Sequence, residues 1–307
     1  MKITKSLIFS LFIINLSACT GNFTTVKVKV VDQDGLAVEG AEVFAGGRLG
    51  IDGENIKDLT DKEGVFQTIG RKNLAVVFRV NKEGYYQTKL RTNKNLQNLI
   101  IELRKKKKTT AMYAKKLLLP VPKKREAIGF DFEQADWVSP YGKGNIAHIF
   151  FYLDGEYTDV QNNNNELQIS FASAGDGLVK LNRATTNSEY QFPYLAPQLA
   201  YTNSLTLKYH TSSSSQSFTT YDNSALGYIF RINTKLNSEG EVIHANYGKI
   251  AGEFLGSSYT GTTKRKNVGF VEFTYYYNPT PNERSLEYDW RQNLFRDLEH
   301  EEKVYEP

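Results

Sequence analysis

The sequence predicts an all-β protein, a small antiparallel β-sandwich followed by a larger β-sandwich or jelly-roll-like domain. Three observations carry that expectation. Apolar and polar residues alternate with period two, as in Val26, Val28 and Val30 against Lys27 and Lys29, the pattern of a half-buried strand. Turn-forming clusters such as Asp34-Gly35, Asp61-Lys62-Glu63-Gly64 and Asn237-Ser238-Glu239-Gly240 recur at short intervals. Aromatic residues make up 13% of the chain, with 19 Tyr and 18 Phe, and such rings suit pleated, half-buried surfaces. The 307 residues are enough for two domains. The boundaries read as 1–18, 19–103, 104–126 and 127–307.

The N-terminal stretch has Lys2 and Lys5 before an apolar run from Leu7 to Leu16. That run is shorter than the roughly 20 residues a spanning helix needs, so it reads as a secretory signal rather than a permanent anchor. It ends in Leu16-Ser17-Ala18-Cys19, and Cys19 is the one cysteine of the chain. A lone cysteine in a secreted chain has no disulfide partner and asks for another role. The segment resembles a bacterial lipoprotein signal, in which the lipobox cysteine is acylated and becomes the first mature residue. The resemblance implies a cell-envelope protein partnered with the lipid bilayer through Cys19. Thr20, rather than Asp, follows the cysteine, which implies the outer membrane if the organism is Gram-negative. An ordinary cleaved signal and an uncleaved anchor helix are the alternatives.

From Phe23 to Leu103 roughly seven strands are expected. Candidates include Ala41–Ala45, Val65–Gln67, a central apolar run Leu74–Val80, and Leu99–Leu103. Gly46 to Leu59, with four glycines, reads as a loop. The segments Asp34 to Val43 and Thr60 to Phe66, with Gly84-Tyr85 further on, resemble the carboxypeptidase regulatory-like domain, a prealbumin-like β-sandwich. Ala37 stands where that family usually has Pro. The resemblance implies a companion module that packs or presents a neighbour. It implies no peptidase activity, because the H-x-x-E pair of a zinc site is missing at His148, His210, His244 and His300.

Residues 104–125 carry Arg104, Lys105, Lys106, Lys107, Lys108, Lys115, Lys116, Lys123, Lys124 and Arg125 with no acidic residue between them. Thr109 to Leu119 reads as a short helix ended by Pro120 and Pro122. The stretch is expected as a hinge. Its basic ends, Arg104–Lys108 and Lys123–Arg125, are candidate contacts for anionic lipid headgroups, with a solvated linker as the alternative.

The second domain is again a series of strands: Ile146–Leu153 with a hairpin turn at Asp154-Gly155, a polar loop at Gln161–Asn165, then Leu167–Phe171, Ser204–Tyr209, Gly227–Lys235 and Val268–Tyr277. Ser212–Ser215 reads as a flexible tip, and Trp290–Tyr305 as a short helix. Sixteen of the tyrosines lie beyond residue 130. Two features are candidate ligand surfaces. Tyr275 and Tyr277, in the densest cluster, are candidates for stacking on sugar rings, although packing in a sheet explains them too. Asp131, Glu133 and Asp136 beside Trp137 are candidates for glycoside hydrolysis or calcium ligation, with Asp131 and Glu133 expected on one strand face.

Several functions are disfavoured. The formal net charge is +4, too small an excess to point to nucleic acid. P-loop, dinucleotide-binding, EF-hand and nucleophile-elbow patterns do not occur, and no cofactor is expected. The expected role is therefore a non-catalytic envelope lipoprotein binding an envelope protein or glycan. The alternatives are a glycan-acting hydrolase and an accessory subunit of a secretion or surface-assembly machine.

Overall fold

The computed structural model describes residues 23–47, 53–72, 74–159, 162–183, 187–211, 225–259 and 268–307. Cys19, Gln161 and Ser212–Ser215 lie outside the described residues. The protein is all-β, and no α-helix occurs among the described residues. The chain divides into two compact units, the first ending at Lys105 and the second running from Lys106 to Pro307.

The first unit contains β1 (Phe23–Asp32), β2 (Glu42–Gly46), β3 (Ile56–Leu59), β4 (Val65–Arg71), β5 (Val76–Asn81), β6 (Thr88–Thr92) and β7 (Leu99–Leu103). They form a three-stranded sheet, β4-β1-β7, and a four-stranded sheet, β3-β2-β5-β6. The alternation in β1 works as expected. Val26, Val28 and Val30 are fully buried while Lys27 and Lys29 face water. They meet Val43, Ala45, Phe78 and Val80 from the other sheet in one core. Two differences from expectation appear. β1 pairs with β7 in parallel, because the chain returns from the opposite sheet before adding β7. The segment expected as a loop between Gly46 and Leu59 ends in β3, antiparallel to β2. Its Lys57 and Asp58 are exposed on an edge strand, so its alternation carries little apolar signal, and Lys57 meets Glu42 at 2.8 Å.

The turns of this unit are built by aspartates. Asp61 Oδ1 accepts from the backbone N–H groups of Glu63 and Val65. Gly64 follows at φ +73°, where a Cβ would sit 2.5 Å from the Val30 carbonyl oxygen. Only glycine fits both conditions.

The second unit contains β8 (Tyr113–Pro120), β9 (Ile128–Asp131), β10 (Asp136–Trp137), β11 (Ile149–Asp159), β12 (Asn162–Ser170), β13 (Gly177–Asn182), β14 (Ser204–Thr211), β15 (Ala225–Leu236), β16 (Val242–Tyr259) and β17 (Val268–Asn278). Two five-stranded sheets result, β10-β9-β11-β12-β14 and β13-β15-β16-β17-β8. Their inner faces share one core. Rings from the two sides of the core touch: Phe132, just past the end of β9, stacks on Phe230 with centroids 4.7 Å apart, and Phe130 meets Phe273 edge-on at 5.5 Å.

Four local expectations are corrected here. Thr109–Leu119 is not a helix. Its second half is β8, which pairs antiparallel with β17 from Tyr113↔Tyr277 to Pro120↔Phe270. The offer of a full ladder along the edge of β17 outweighs a weak helical preference. Asp154-Gly155 is not a turn but lies inside β11, opposite Glu166 and Asn165. Gly155 is required by crowding, since a Cβ would fall 2.4 Å from Asn165 Oδ1. Asn162–Asn165 belongs to β12 rather than a loop. Trp290–Tyr305 contains two 3-10 turns, Trp290–Gln292 and His300–Glu302, in an otherwise irregular tail.

Phe130 is fully buried and lies edge-on to Phe132, Trp137, Phe151, Phe273 and Tyr275. Replacing it with Ala is expected to cost about 3–5 kcal/mol, read as a lower urea midpoint at unchanged slope.

Candidate functional site

Asp131 ends β9 and is 3% exposed. Its Oδ1 accepts from the N–H groups of Glu133 and Gln134, and its Oδ2 from those of Asn145 and Ile146. Four backbone donors satisfy a buried carboxylate and close two loops with it. Asp136 does similar work in the next turn, accepting from Trp137 N–H through Oδ1 and from Lys143 N–H through Oδ2. Glycines crowd this turn: a Cβ on Gly142 would fall 2.6 Å from Asp136 Oδ1. Glu133 lies beyond the end of β9 rather than on the same strand face as Asp131, and it hydrogen-bonds the Tyr277 side chain. The carboxylates thus share a neighbourhood, but two of the three are committed to backbone amides.

The aromatic members of the expected ligand surface are core residues. Trp137, Tyr275 and Tyr277 are 3%, 0% and 1% exposed. Trp137 donates Nε1–H to the Pro120 carbonyl and Tyr275 donates its hydroxyl to the Phe132 carbonyl. Their faces are spent on other rings, so they offer no platform to a sugar in solvent. Burial, with the charges of Glu133 and Asp131 close by, pushes the Tyr277 hydroxyl above its ordinary range.

His148 is the group that sequence reasoning used only to exclude zinc. It is buried, stacked on Phe132 with centroids 5.8 Å apart. Its Nδ1 accepts the Phe132 N–H at 3.1 Å, so the ring proton sits on Nε2 in the neutral form. Asp131 Oδ1 lies 3.4 Å from the same Nδ1. Burial lowers the imidazole's pKa and the Asp131 charge opposes it only partly. Two acceptors facing each other make no proton relay. Among the described residues no group of three or more His, Cys, Asp or Glu side chains is placed to hold a metal ion.

The basic residues 104–125 are distributed rather than clustered. In the first unit Lys105 Nζ lies 2.6 Å from Asp32 Oδ2. Burial alone would raise the Asp32 carboxyl, but Lys105 and the N–H groups of Leu36 and Asp34 hold it below its ordinary value. In the second unit Lys123 pairs with Glu126, Arg125 with Asp154, and Lys115 with Glu302. Lys124 Nζ donates to the Gly155 carbonyl. Lys107 places Nζ over the Tyr194 ring. Arg104 is half-buried, and Lys106 and Lys108 are exposed.

A cleft of about 490 Å³ opens where β8, β16 and β17 adjoin the C-terminal tail, lined by Lys115, Lys116, Leu118, Glu272, Glu301 and Glu302 among others. None of Asp131, Glu133, Asp136 or Trp137 lines it. In its wall β16 bulges between Ala251 and Leu255, and Glu253 in the bulge accepts the Tyr228 hydroxyl at 2.6 Å.

The least expected group is Lys249 on β16. It is completely buried, and its Nζ has no hydrogen-bond partner among the described residues. Three ring centroids surround the amine: Tyr276 at 4.4 Å, Phe192 at 5.0 Å and Tyr190 at 5.1 Å. Burial pushes its pKa down to about 7, against the opposing charge of Glu287. The aromatic faces favour the cation, so the amine is poised between its two forms. A lysine inside an alternating strand gives no sequence signal of burial. The hint lay in the rings of Tyr190, Phe192 and Tyr276, which only the fold brings to it.

No protein-family model and no curated protein matches this chain. Among solved structures, the chain is similar to the crystal structure of a DUF3823 family protein from Parabacteroides merdae, at 9% identity and a TM-score of 0.22, covering 82% of this chain and 98% of that one.

Two outcomes follow from this geometry. Asp131→Ala strands four backbone donors, and is expected to destabilise the second unit by on the order of 3 kcal/mol in chemical denaturation. Lys105→Met is expected to raise the Asp32 carboxyl. The stabilisation from that depressed carboxyl is present above the unfolded-state value and lost as pH falls through the folded-state value. An acid titration of unfolding should therefore show a weaker pH dependence in the variant.

Proposed function

We propose that the chain is a lipid-anchored protein of the cell envelope with a binding or structural role. The observation that carries this reading is Cys19, the chain's lone cysteine, closing a basic and then apolar leader at Leu16-Ser17-Ala18. An acyl chain adds roughly 0.8 kcal/mol per buried methylene, and two or more chains make attachment stable. In a Gram-negative cell Thr20 directs it to the outer membrane. The first unit serves as a carboxypeptidase regulatory-like spacer close to the bilayer, and the second engages an envelope protein or glycan.

The non-catalytic reading is supported by what the candidate carboxylates do. Asp131 and Asp136 accept backbone N–H groups, and no acid and base pair with opposed environments is evident among them. A hydrolase would need such a pair. Electrostatic contact with anionic headgroups is a secondary part of the reading, resting on the exposed Lys106 and Lys108.

Replacing Cys19 with Ala is expected to move the protein from the membrane fraction to the soluble fraction and to remove acyl mass from its N-terminal peptide. Retention on the membrane without acyl mass in the wild type would defeat the proposal. A Lys106→Gln, Lys108→Gln variant of the lipid-free chain is expected to bind anionic vesicles more weakly at low salt. Equal binding would remove the secondary contact.

A further inference from the structure

We propose that the outer face of the β4-β1-β7 sheet is the surface of the first unit that lies on an anionic membrane. The inference rests on the anchor at Cys19 proposed above and names the side of the chain that meets the lipid. On β1 the residues that alternate with the buried valines, Thr25, Lys27 and Lys29, are exposed. Register places Ile69 and Gln67 of β4 beside Thr25 and Lys27, and Ile100 of β7 beside Lys29. Register partners on neighbouring strands point to one side of a sheet, so these six side chains share a face. Ile69 and Ile100 are 52% and 66% exposed. Lys27 and Lys29 make no ion pair among the described residues.

Two features fit this face to lipid. The first is its chemistry. Exposed isoleucines flanking unpaired lysines suit an interface, where apolar side chains enter the headgroup boundary and ammonium groups meet phosphates. Glu102, half-buried at the end of β7, is the one acidic side chain that the described strand positions turn to this face. The second feature is the tether. Four residue steps separate Cys19 from Phe23, the first residue of β1, a reach of at most about 14 Å. β1 is the central strand of the sheet, and Phe23 shares the period of Lys27 and Lys29. A bilayer holding Cys19 therefore lies beside the start of this strand. Lys29 and Ile100, about 20 Å further along, meet it when the face lies flat.

The opposite sheet, β3-β2-β5-β6, does not match this face. Two of its outward bases are engaged, Lys57 with Glu42 at 2.8 Å and Arg79 over the Phe44 ring at 4.5 Å. None of its strands is the one that follows Cys19. Lys89 and Arg91 of β6 keep exposed charges there, and Leu59 of β3 is 59% exposed. These three residues provide controls matched in charge and exposure.

A thiol probe on the acylated full-length chain tests this. With Cys19 acylated, the thiol introduced by Ile100→Cys or Leu59→Cys is the only free one. The chain is inserted into preformed phosphatidylcholine vesicles with or without phosphatidylglycerol, and its reaction with a water-soluble, membrane-impermeant maleimide is followed at low salt. Two lysines at an anionic surface shift the docked population about 30-fold, so phosphatidylglycerol is expected to slow labelling of Ile100→Cys about tenfold. Labelling of Leu59→Cys is expected to be unchanged. Adding Lys27→Gln and Lys29→Gln to Ile100→Cys is expected to remove the slowing, and adding Lys89→Gln and Arg91→Gln to keep it. Equal rates at Ile100→Cys on the two vesicles, equal slowing at Leu59→Cys, or equal effects of the two charge-removing pairs overturns the proposal. Acyl mass on the N-terminal peptide reports the anchor separately. Should that mass be missing, the anchor reading fails, and co-sedimentation of the lipid-free chain with phosphatidylglycerol vesicles tests the face. Lys27→Gln with Lys29→Gln is then expected to lower binding about 30-fold and Lys89→Gln with Arg91→Gln to leave it unchanged; equal losses overturn the face as surely.

Discussion

The contact between the inner faces of the two five-stranded sheets is the interaction on which the second unit rests. Phe130 and Phe151 from one sheet, with Phe132 just after β9, interlock with Phe230, Phe254, Phe273 and Tyr275 from the other. No disulfide is available to a chain with one cysteine. Ring burial and edge-to-face packing must therefore supply the stability that secreted β-domains of smaller core draw from cross-links. This also explains the unusual tyrosine content. A tyrosine at an inner position carries a hydroxyl that must be satisfied, and Tyr275 and Tyr209 do so on carbonyls of the facing sheet or strand. Each such bond fixes the sheets in register as well as holding them together.

A second consequence concerns the outer face of the sheet containing β16 and β17. That face would normally meet water, yet Tyr276, Tyr288, Met112, Ala114 and Val304 make a small core of their own upon it. Tyr190 and Phe192, whose rings flank the Lys249 amine, and the C-terminal tail are its cover. A lysine at a position that the alternation assigns to solvent is consequently enclosed. Lys249 is an outward-facing residue of an ordinary strand that the later chain has roofed over.

Much of the first unit was legible in the sequence because its strands alternate cleanly and its turns use Asp and Gly for reasons that hold locally. β1 and the Asp61–Gly64 turn follow directly from residue chemistry. β3 was hidden because an edge strand with Lys57 and Asp58 facing water has no apolar period to see. β8 was hidden because its partner lies far along the chain, and its helix-compatible Ala-Lys-Lys-Leu run carries no mark of that partner. The candidate site fared differently. Asp131 and Asp136 were singled out as candidates for glycoside hydrolysis or calcium ligation, and in the structure they receive backbone donors, a role that side-chain chemistry alone does not distinguish from catalysis. Trp137, Tyr275 and Tyr277 were drawn into a ligand surface because aromatic density does not reveal which face of a sheet is wet. Lys249 left no local trace at all.

The pairing of β8 with β17 bears on how this protein is made. Ala114 lies opposite Tyr276, and Lys107 meets Glu287, 180 residues further on. The first strand of the second unit thus waits for the last before its ladder can form. Contacts of such separation slow folding, since loop closure precedes any gain from them. The first unit is complete by Lys105 and can settle early, whereas the second stays open until nearly all of the chain has arrived.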